Sequence, residues 1–244
     1  MALAAIAALV GAFTQSATGF GFALVLSPAL FAVLEPEEAV GTMLVLGLAL
    51  NLLVLVEGGW HADWRRVGPI LLAALPGLVA GVLLLSALSK GALQVMVGVA
   101  VIAAGAWQLR ARRAASGERR RAELPAAAGW AVGFVSGTLT TSISVSGPPI
   151  VLWLEAHGVR PAEFRASLAA TFLALNLAGW LVLFAAEGSG SLDAGVVAPL
   201  LGLVLAGHVL GAVAFRRLDP ERFFRIALAL VLCTGVASLV AGLV

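Results

Sequence analysis

Charge is scarce in this chain. Its 244 residues include 13 Asp and Glu and 15 Lys and Arg, 11% charged against 61% hydrophobic, with a mean hydropathy of +1.05. That is too little polar surface to cover a soluble globule, so lipid must be the main solvent and the bilayer a partner. Cysteine is nearly absent. A lone Cys233 inside an apolar run cannot form an intramolecular disulfide and is expected as a small core residue. The N-terminus, apolar from Ala2, lacks a basic n-region and a clear small-residue cleavage site, so it is read as part of the mature fold. No Walker-type phosphate loop appears, which leaves ATP drive within the chain unsupported. There is no G-x-S-x-G and no cluster of metal ligands, and His61 and His157 fall in loops. Neither a cofactor nor a metal is expected. The pI near 9.5 suggests nucleic acid at first sight. The basic residues, however, sit in short loops beside apolar runs, where they report topology, and a nucleic-acid partner is excluded.

What is present is a series of apolar stretches long enough for a helix to cross a ~30 Å hydrocarbon core. Six look complete, at roughly 39–56, 68–88, 91–109, 166–186, 194–215 and 226–244. Two more, at roughly 2–34 and 125–156, are interrupted near their middles by Gly, Ser, Thr and Gln.

The chain repeats itself. Pro36, Glu38 and the run Leu48-Ala49-Leu50-Asn51-Leu52 recur 125 positions later as Pro161, Glu163 and Leu173-Ala174-Leu175-Asn176-Leu177. From Pro69 and Pro199 onward the offset is 130, matching Gly77 with Gly207, Gly81 with Gly211 and Gly105 with Gly235. Pro, Asn and Gly in register over such a length indicate two tandem copies. The expected organisation is a first repeat at 1–110, a basic cytoplasmic linker at 111–122 and a second repeat at 123–244.

Two architectures compete. If both interrupted stretches cross fully, there are eight spans, and the basic residues divide eight against seven, with no positive-inside bias. If each interrupted stretch enters and returns to its own side, all fourteen arginines share one face and Lys90 lies on the other, with Glu35, Glu37, Glu38, Glu187 and Asp193. Length agrees, since each arm reaches about 20–22 Å at ~1.5 Å per residue, past the midplane but short of the far side. Three crossings per half then invert the second copy. The fold class expected is therefore an all-α integral membrane protein of two inverted repeats, each a broken or re-entrant helical hairpin plus three transmembrane helices, with the arginine-rich loops cytoplasmic.

The hairpins are expected to turn at Gln15–Gly21 and at Thr140–Pro149. Non-helical backbone at that depth is tolerated only when buried in protein or lining a wet cavity. All Asp, Glu, Lys and Arg can be placed at or outside the span ends, so a substrate cation would meet no carboxylate. A small anion, by contrast, suits the free N–H groups and positive dipole ends at the start of each returning arm. The candidate binding residues are Gln15, Ser16, Thr18, Gly19 and Gly21 in the first hairpin, and Thr140, Thr141, Ser142, Ser144, Ser146 and Gly147 in the second. Asn51 and Asn176, at equivalent repeat positions, either line the site or cross-link helices. His208 is the intramembrane ionisable group suited to proton coupling, although its repeat counterpart is Leu78. Gly77, Gly81, Gly207 and Gly211 read as helix-packing residues, and Trp107, Trp130 and Trp180 as belt or packing residues.

At the hairpins the chain resembles the sulfite exporter TauE/SafE family, also called toluenesulfonate uptake permeases. The residues that carry this are Gly11 with Gln15-Ser16-x-x-Gly19-Phe20-Gly21 and Pro28, and Gly133-x-x-x-Gly137 followed by Gly147-Pro148-Pro149. The resemblance implies a transporter of the cytoplasmic membrane for sulfur-containing anions such as sulfite or organosulfonates, coupled to an ion gradient of protons or sodium. Many relatives carry more glycine where this chain has Gln15 and Ser16. A passive anion channel and an intramembrane enzyme with Ser142 or Ser146 as nucleophile and His208 as base stand as alternatives. Import or export, the coupling ion and a homodimeric state are left open.

Overall fold

The computed structural model describes residues 1–114, 126–157, 159, 161–188, 192–214 and 220–243. Most of the expected linker with Arg119, the loop with Arg216 and Arg217, and Arg160 lie outside the described residues, as do the side chains of Glu187, Arg222 and Arg225. Every described regular element is a helix: α1 (Ala2–Thr18), α2 (Phe22–Val33), α3 (Pro36–Gly58), α4 (Trp64–Ala87), α5 (Lys90–Ala114), α6 (Ala126–Ile143), α7 (Gly147–Ala156), α8 (Pro161–Glu187), α9 (Ala194–Ala214) and α10 (Pro220–Leu243). Among the described residues, five stretches are long and apolar enough to cross a membrane: Pro36–Glu57, Trp64–Ala87, Lys90–Arg110, Glu163–Ala186 and Ala194–Val213. The sixth stretch expected, near 226–244, falls in α10, whose described apolar part is Val231–Leu243. The protein is thus an all-α, multi-pass integral membrane protein.

Helix boundaries recur at the spacing of the repeated residues. Thr18 and Ile143 end α1 and α6, Phe22 and Gly147 begin α2 and α7, and Pro36 and Pro161 begin α3 and α8, each pair 125 apart. Trp64 with Ala194, and Lys90 with Pro220, begin the next helices 130 apart. Proline at the first position of α3, α8 and α10 suits helix starts, because the N–H it lacks has no intrahelical partner there.

Packing exchanges the halves. The broken segment α1 lies along α9, and its counterpart α6 lies along α4. Each crossing is set by glycines. A Cβ on Gly77 or Gly81 would meet the carbonyl oxygens of Phe134 or Thr138, and one on Gly207 or Gly211 those of Leu9 or Phe13. These partners too are 125 apart. Removing the Cβ brings backbone against backbone, which is how helices gain contact where lipid offers no hydrophobic drive. The self-paired helices run antiparallel: Gly47 on α3 meets Asn176 on α8 and Leu44 meets Gly179, while on α5 and α10 Gly91 meets Gly242 and Gly98 meets Gly235. Eight full crossings would require α3 and α8 to run in the same direction.

The face of α4 opposite its glycines exposes Leu72, Leu75, Val79 and Leu83, spaced for one helical stripe. On a soluble protein that stripe would be polar. Here it is the lipid contact, and α9 repeats it with Leu205, Val209 and Val213. Cys233, expected in the core, is exposed on α10. The reason is that in lipid an apolar run has an apolar outside as well as an inside.

Gly77→Leu and Gly207→Leu should each destabilise the protein by about 1–3 kcal/mol or more, the usual cost of overpacking. Gly202→Leu, whose Cβ meets nothing within 4 Å, should unfold like the parent in the same thermal scan. Equal melting of all three variants would show that the glycine crossings do not limit packing.

Candidate functional site

The two interruptions are short. The first is Gly19-Phe20-Gly21 and the second Ser144-Val145-Ser146, narrower than the expected turns at 15–21 and 140–149. Gly19 and Gly21 hold φ values of 90° and 117°, conformations that a Cβ disfavours. Ser144, at the position equivalent to Gly19, takes φ 59° without glycine's freedom. Strain of that kind persists only where the surroundings over-determine it.

A cavity of about 40 Å³ lies between the interruptions. One water needs ~10–15 Å³, so the space suits a few waters or a compact anion. Residues 20–24 and 144–147 form its walls from the two hairpins, and Gln15, Asn51 and Asn176 supply amides. No charged side chain lines it. The start of α2 faces the space with Phe22, Ala23 and Leu24, whose N–H groups precede the first intrahelical donor, Val25, bonded to the Gly21 carbonyl at 3.2 Å. Neither α2 nor α7 has a side-chain cap. The helices differ, however: α7 opens Gly147-Pro148-Pro149, and the prolines remove two of its three first-turn donors. Its dipole end remains, but most backbone hydrogen bonds must come from α2.

Side chains around the cavity are partly committed. Gln15 Nε2 donates to Asn51 Oδ1 at 2.8 Å, and Asn51 Nδ2 donates to the Gly47 carbonyl at 2.7 Å. Asn176 crosses from α8 to lie against Gly47, where any larger residue would displace it. Ser144 Oγ is buried without a partner, and an unsatisfied buried hydroxyl beside a cavity is a donor in waiting.

Comparison with known proteins now has a site to attach to. The profile described as Sulfite exporter TauE/SafE matches residues 3–238. The chain belongs to the sulfite exporter TauE/SafE family. It is 28% identical over 239 residues to a probable sulfite/organosulfonate exporter TauE of Cupriavidus necator, an alignment covering 93% of this chain and 89% of that protein. No solved structure matches.

In this TauE/SafE protein the residues singled out from the sequence separate into two groups. Gln15, Gly21, Asn51, Ser144, Ser146, Gly147 and Asn176 come together on the cavity. The other six do not line it. Thr140 donates to the Ser136 carbonyl at 2.7 Å, Ser142 to that of Thr138 at 2.6 Å, and Thr141 across to that of Leu78 at 2.6 Å. The Thr18 hydroxyl lies 2.9 Å from the Thr14 carbonyl and 2.6 Å from that of Phe20, and donates its one proton to either. Gly19 faces the stem of Arg165. Ser16 Oγ lies 2.7 Å from His208 Nδ1. His208 is buried at 2% exposure, with Nε2 3.0 Å from Glu57 Oε1. Gly147 has no positive φ, and a Cβ there would make ordinary contact with Phe172 at 3.5 Å.

Two kinds of residue were not anticipated. Gly47 and Phe172 line the cavity one helical turn before Asn51 and Asn176, and the i, i+4 rule applied to the repeated asparagines would have found them. Glu57 and Arg165 looked like span-end charges, but Glu57 reaches His208 and Arg165 reaches the end of α1. Arg165 Nη2 donates to the Ser16 carbonyl at 2.6 Å.

The backbone angles give a paired prediction. Gly19→Ala should cost about 1–2 kcal/mol through its left-handed φ, whereas Ser144→Gly should gain about 1 kcal/mol by relieving the same conformation. Thermal unfolding of the purified variants checks both signs. A stabilising Gly19→Ala would contradict the assigned backbone.

Proposed function

We propose that this chain is a secondary carrier that moves a small sulfur oxyanion or organosulfonate across the cytoplasmic membrane by alternating access. The anion is held in the cavity between the two helix interruptions. The observation that carries this reading is the convergence of both interruptions on a space with amides, hydroxyls and helix N-termini but no charged side chain. An anion there meets positive dipole ends and no carboxylate. The family name and the printed name of the Cupriavidus necator relative support a sulfite-like or sulfonate substrate and the outward direction.

The two halves, 1–110 and 123–244 joined by the basic segment 111–122, are read as copies set in the membrane in opposite senses. The antiparallel α3–α8 and α5–α10 pairs and the exchanged glycine crossings support this. Arg65, Arg66 and Arg165 then face the cytoplasm and Glu35, Glu37 and Lys90 the other side, where Lys90 pairs with Glu35 at 3.2 Å. Alternating access is then a rocking of the glycine-crossed α1–α9 and α4–α6 units against each other around the shared cavity.

Catalysis is not part of this reading. Ser142 is bonded to its own helix, and the serine beside His208 is Ser16. Ser16, His208 and Glu57 stand in the order of a nucleophilic triad. Ser16, however, is fully buried and off the cavity wall, so no substrate carbon can reach its oxygen.

Proteoliposomes preloaded with sulfite should accelerate uptake of labelled sulfite through exchange, and a passive pore would show no such stimulation. In binding assays Asn176→Ala and Ser146→Ala should weaken sulfite affinity by about 0.5–3 kcal/mol, the range for neutral and charge-assisted hydrogen bonds. Ser142→Ala should bind like the parent, since its hydroxyl serves the Thr138 carbonyl. If Ser142→Ala loses affinity while Asn176→Ala and Ser146→Ala keep it, the cavity is not the site.

A further inference from the structure

The repeat makes the cavity nearly symmetric, but one cluster beside it is not. Ser16 and Thr141 are equivalent, and each hydroxyl reaches the equivalent position on the opposite half. Thr141 meets the backbone carbonyl of Leu78, whereas Ser16 meets the side chain of His208. The same exchange places Val182 opposite Glu57 and Val40 opposite Arg165. Three charged or chargeable residues therefore gather at the first interruption, where the second has only apolar counterparts.

We propose that Glu57, His208, Ser16 and Arg165 form a proton-coupling site that acts on the end of α1, and hence on the anion cavity. This rests on the reading of the cavity as the anion site. The inventory of facing groups is short. From α3 the imidazole faces Glu57, whose side chain is 51% exposed at the end of that helix. From α1 it faces Ser16, and α1 carries no ionisable side chain. From α8 comes Arg165, bonded to the Ser16 carbonyl and in electrostatic range of Glu57. On α9 itself His208 is the sole ionisable side chain, and Glu37 and Glu38 lie at the far end of α3.

Protonation changes two things at once. A neutral imidazole accepts the Ser16 hydroxyl proton at Nδ1 and donates from Nε2 to Glu57. An imidazolium donates at both nitrogens, so the Ser16 hydroxyl must turn its proton elsewhere. The formal charge of the cluster rises from zero, Arg165 against Glu57, to plus one. Ser16 directly follows Gln15 on the last turn of α1, and Gln15 lines the cavity. A positive cluster behind that turn favours an anion in front of it. By linkage the bound anion must raise proton affinity by the same factor. Arg165 keeps the device in place, because its guanidinium caps a carbonyl at the negative end of α1.

The test uses methanesulfonate, whose charge is constant between about pH 5.5 and 8.5, so that any change in binding over that range comes from the protein. Binding to full-length protein in nanodiscs is measured across that range. The parent should bind about five- to tenfold more tightly at the acid end, a coupling of ordinary size. His208→Gln should bind with a flat profile at the weaker level. Glu57→Gln, at a half-exposed position that tolerates the change, should displace the profile toward lower pH, because the imidazolium loses its counter-charge. A flat parent profile, or variants that both follow the parent profile, overturns the coupling site while leaving the anion site standing. Failure of the parent to bind methanesulfonate or sulfite at any pH overturns the cavity reading instead, and this inference with it.

Discussion

Two breaks in helical backbone inside an apolar protein impose the constraint on which the rest depends. Every interrupted N–H and C=O must find a partner, because lipid offers none. At the first break, the Gly19 N–H reaches the Gln15 carbonyl at 2.7 Å, Thr18 bonds the Phe20 carbonyl, and Arg165 caps the Ser16 carbonyl. At the second, the Ser144 N–H returns to Thr140 at 3.1 Å, and the Ser27 hydroxyl reaches the Ile143 carbonyl at 2.8 Å. These end carbonyls of α1 and α6 are thereby satisfied from within the protein. The start of α2, uncapped, faces the cavity with its first-turn donors. At the first break, one side is bonded within the protein and the other leaves donors facing the cavity, the arrangement on which the proposed anion site rests.

The scaffold that holds the breaks together is a reciprocal exchange. Each half lends its broken segment to the other's α4-type helix across paired glycines, and the α3–α8 and α5–α10 pairs close the assembly antiparallel. Backbone-to-backbone crossings are stiff because they contain few flexible side chains, so the cavity walls from opposite halves keep a fixed relation within each half-pair. Against this near symmetry the Glu57–His208–Ser16–Arg165 cluster makes one approach polar and the other apolar. Two routes to one site can be driven differently only if they differ chemically.

The sequence was legible where residue type and position agree on one physical role. Polar and glycine residues interrupting apolar runs located both breaks, at 19–21 and 144–146, inside the expected turns. The repeated Asn51 and Asn176 lie on the cavity because equivalent positions of exchanged halves approach the same centre. Hydroxyl density misled at α6: Thr140 and Ser142 sit in helical turns, where the nearest acceptor is the carbonyl four residues back, so they serve their own backbone. The charged cluster was hidden for a different reason. Glu57 and Arg165 stand at helix ends, and position along a span says nothing of a long side chain's reach. The missing repeat partner of His208 looked like a weakness of that residue, but in three dimensions it marks a place beside the cavity where the repeated positions differ in charge.

The most direct measurement is the position of a bound anion. Selenite has the shape and charge of sulfite and an anomalous scatterer at its centre. In crystals of the protein grown with it, the account predicts a single selenium peak in the cavity, within hydrogen-bonding range of the first N–H groups of α2 and of Asn176. Selenium found only beside Arg165 or on the outer surface, with the cavity vacant at saturating selenite, would contradict it.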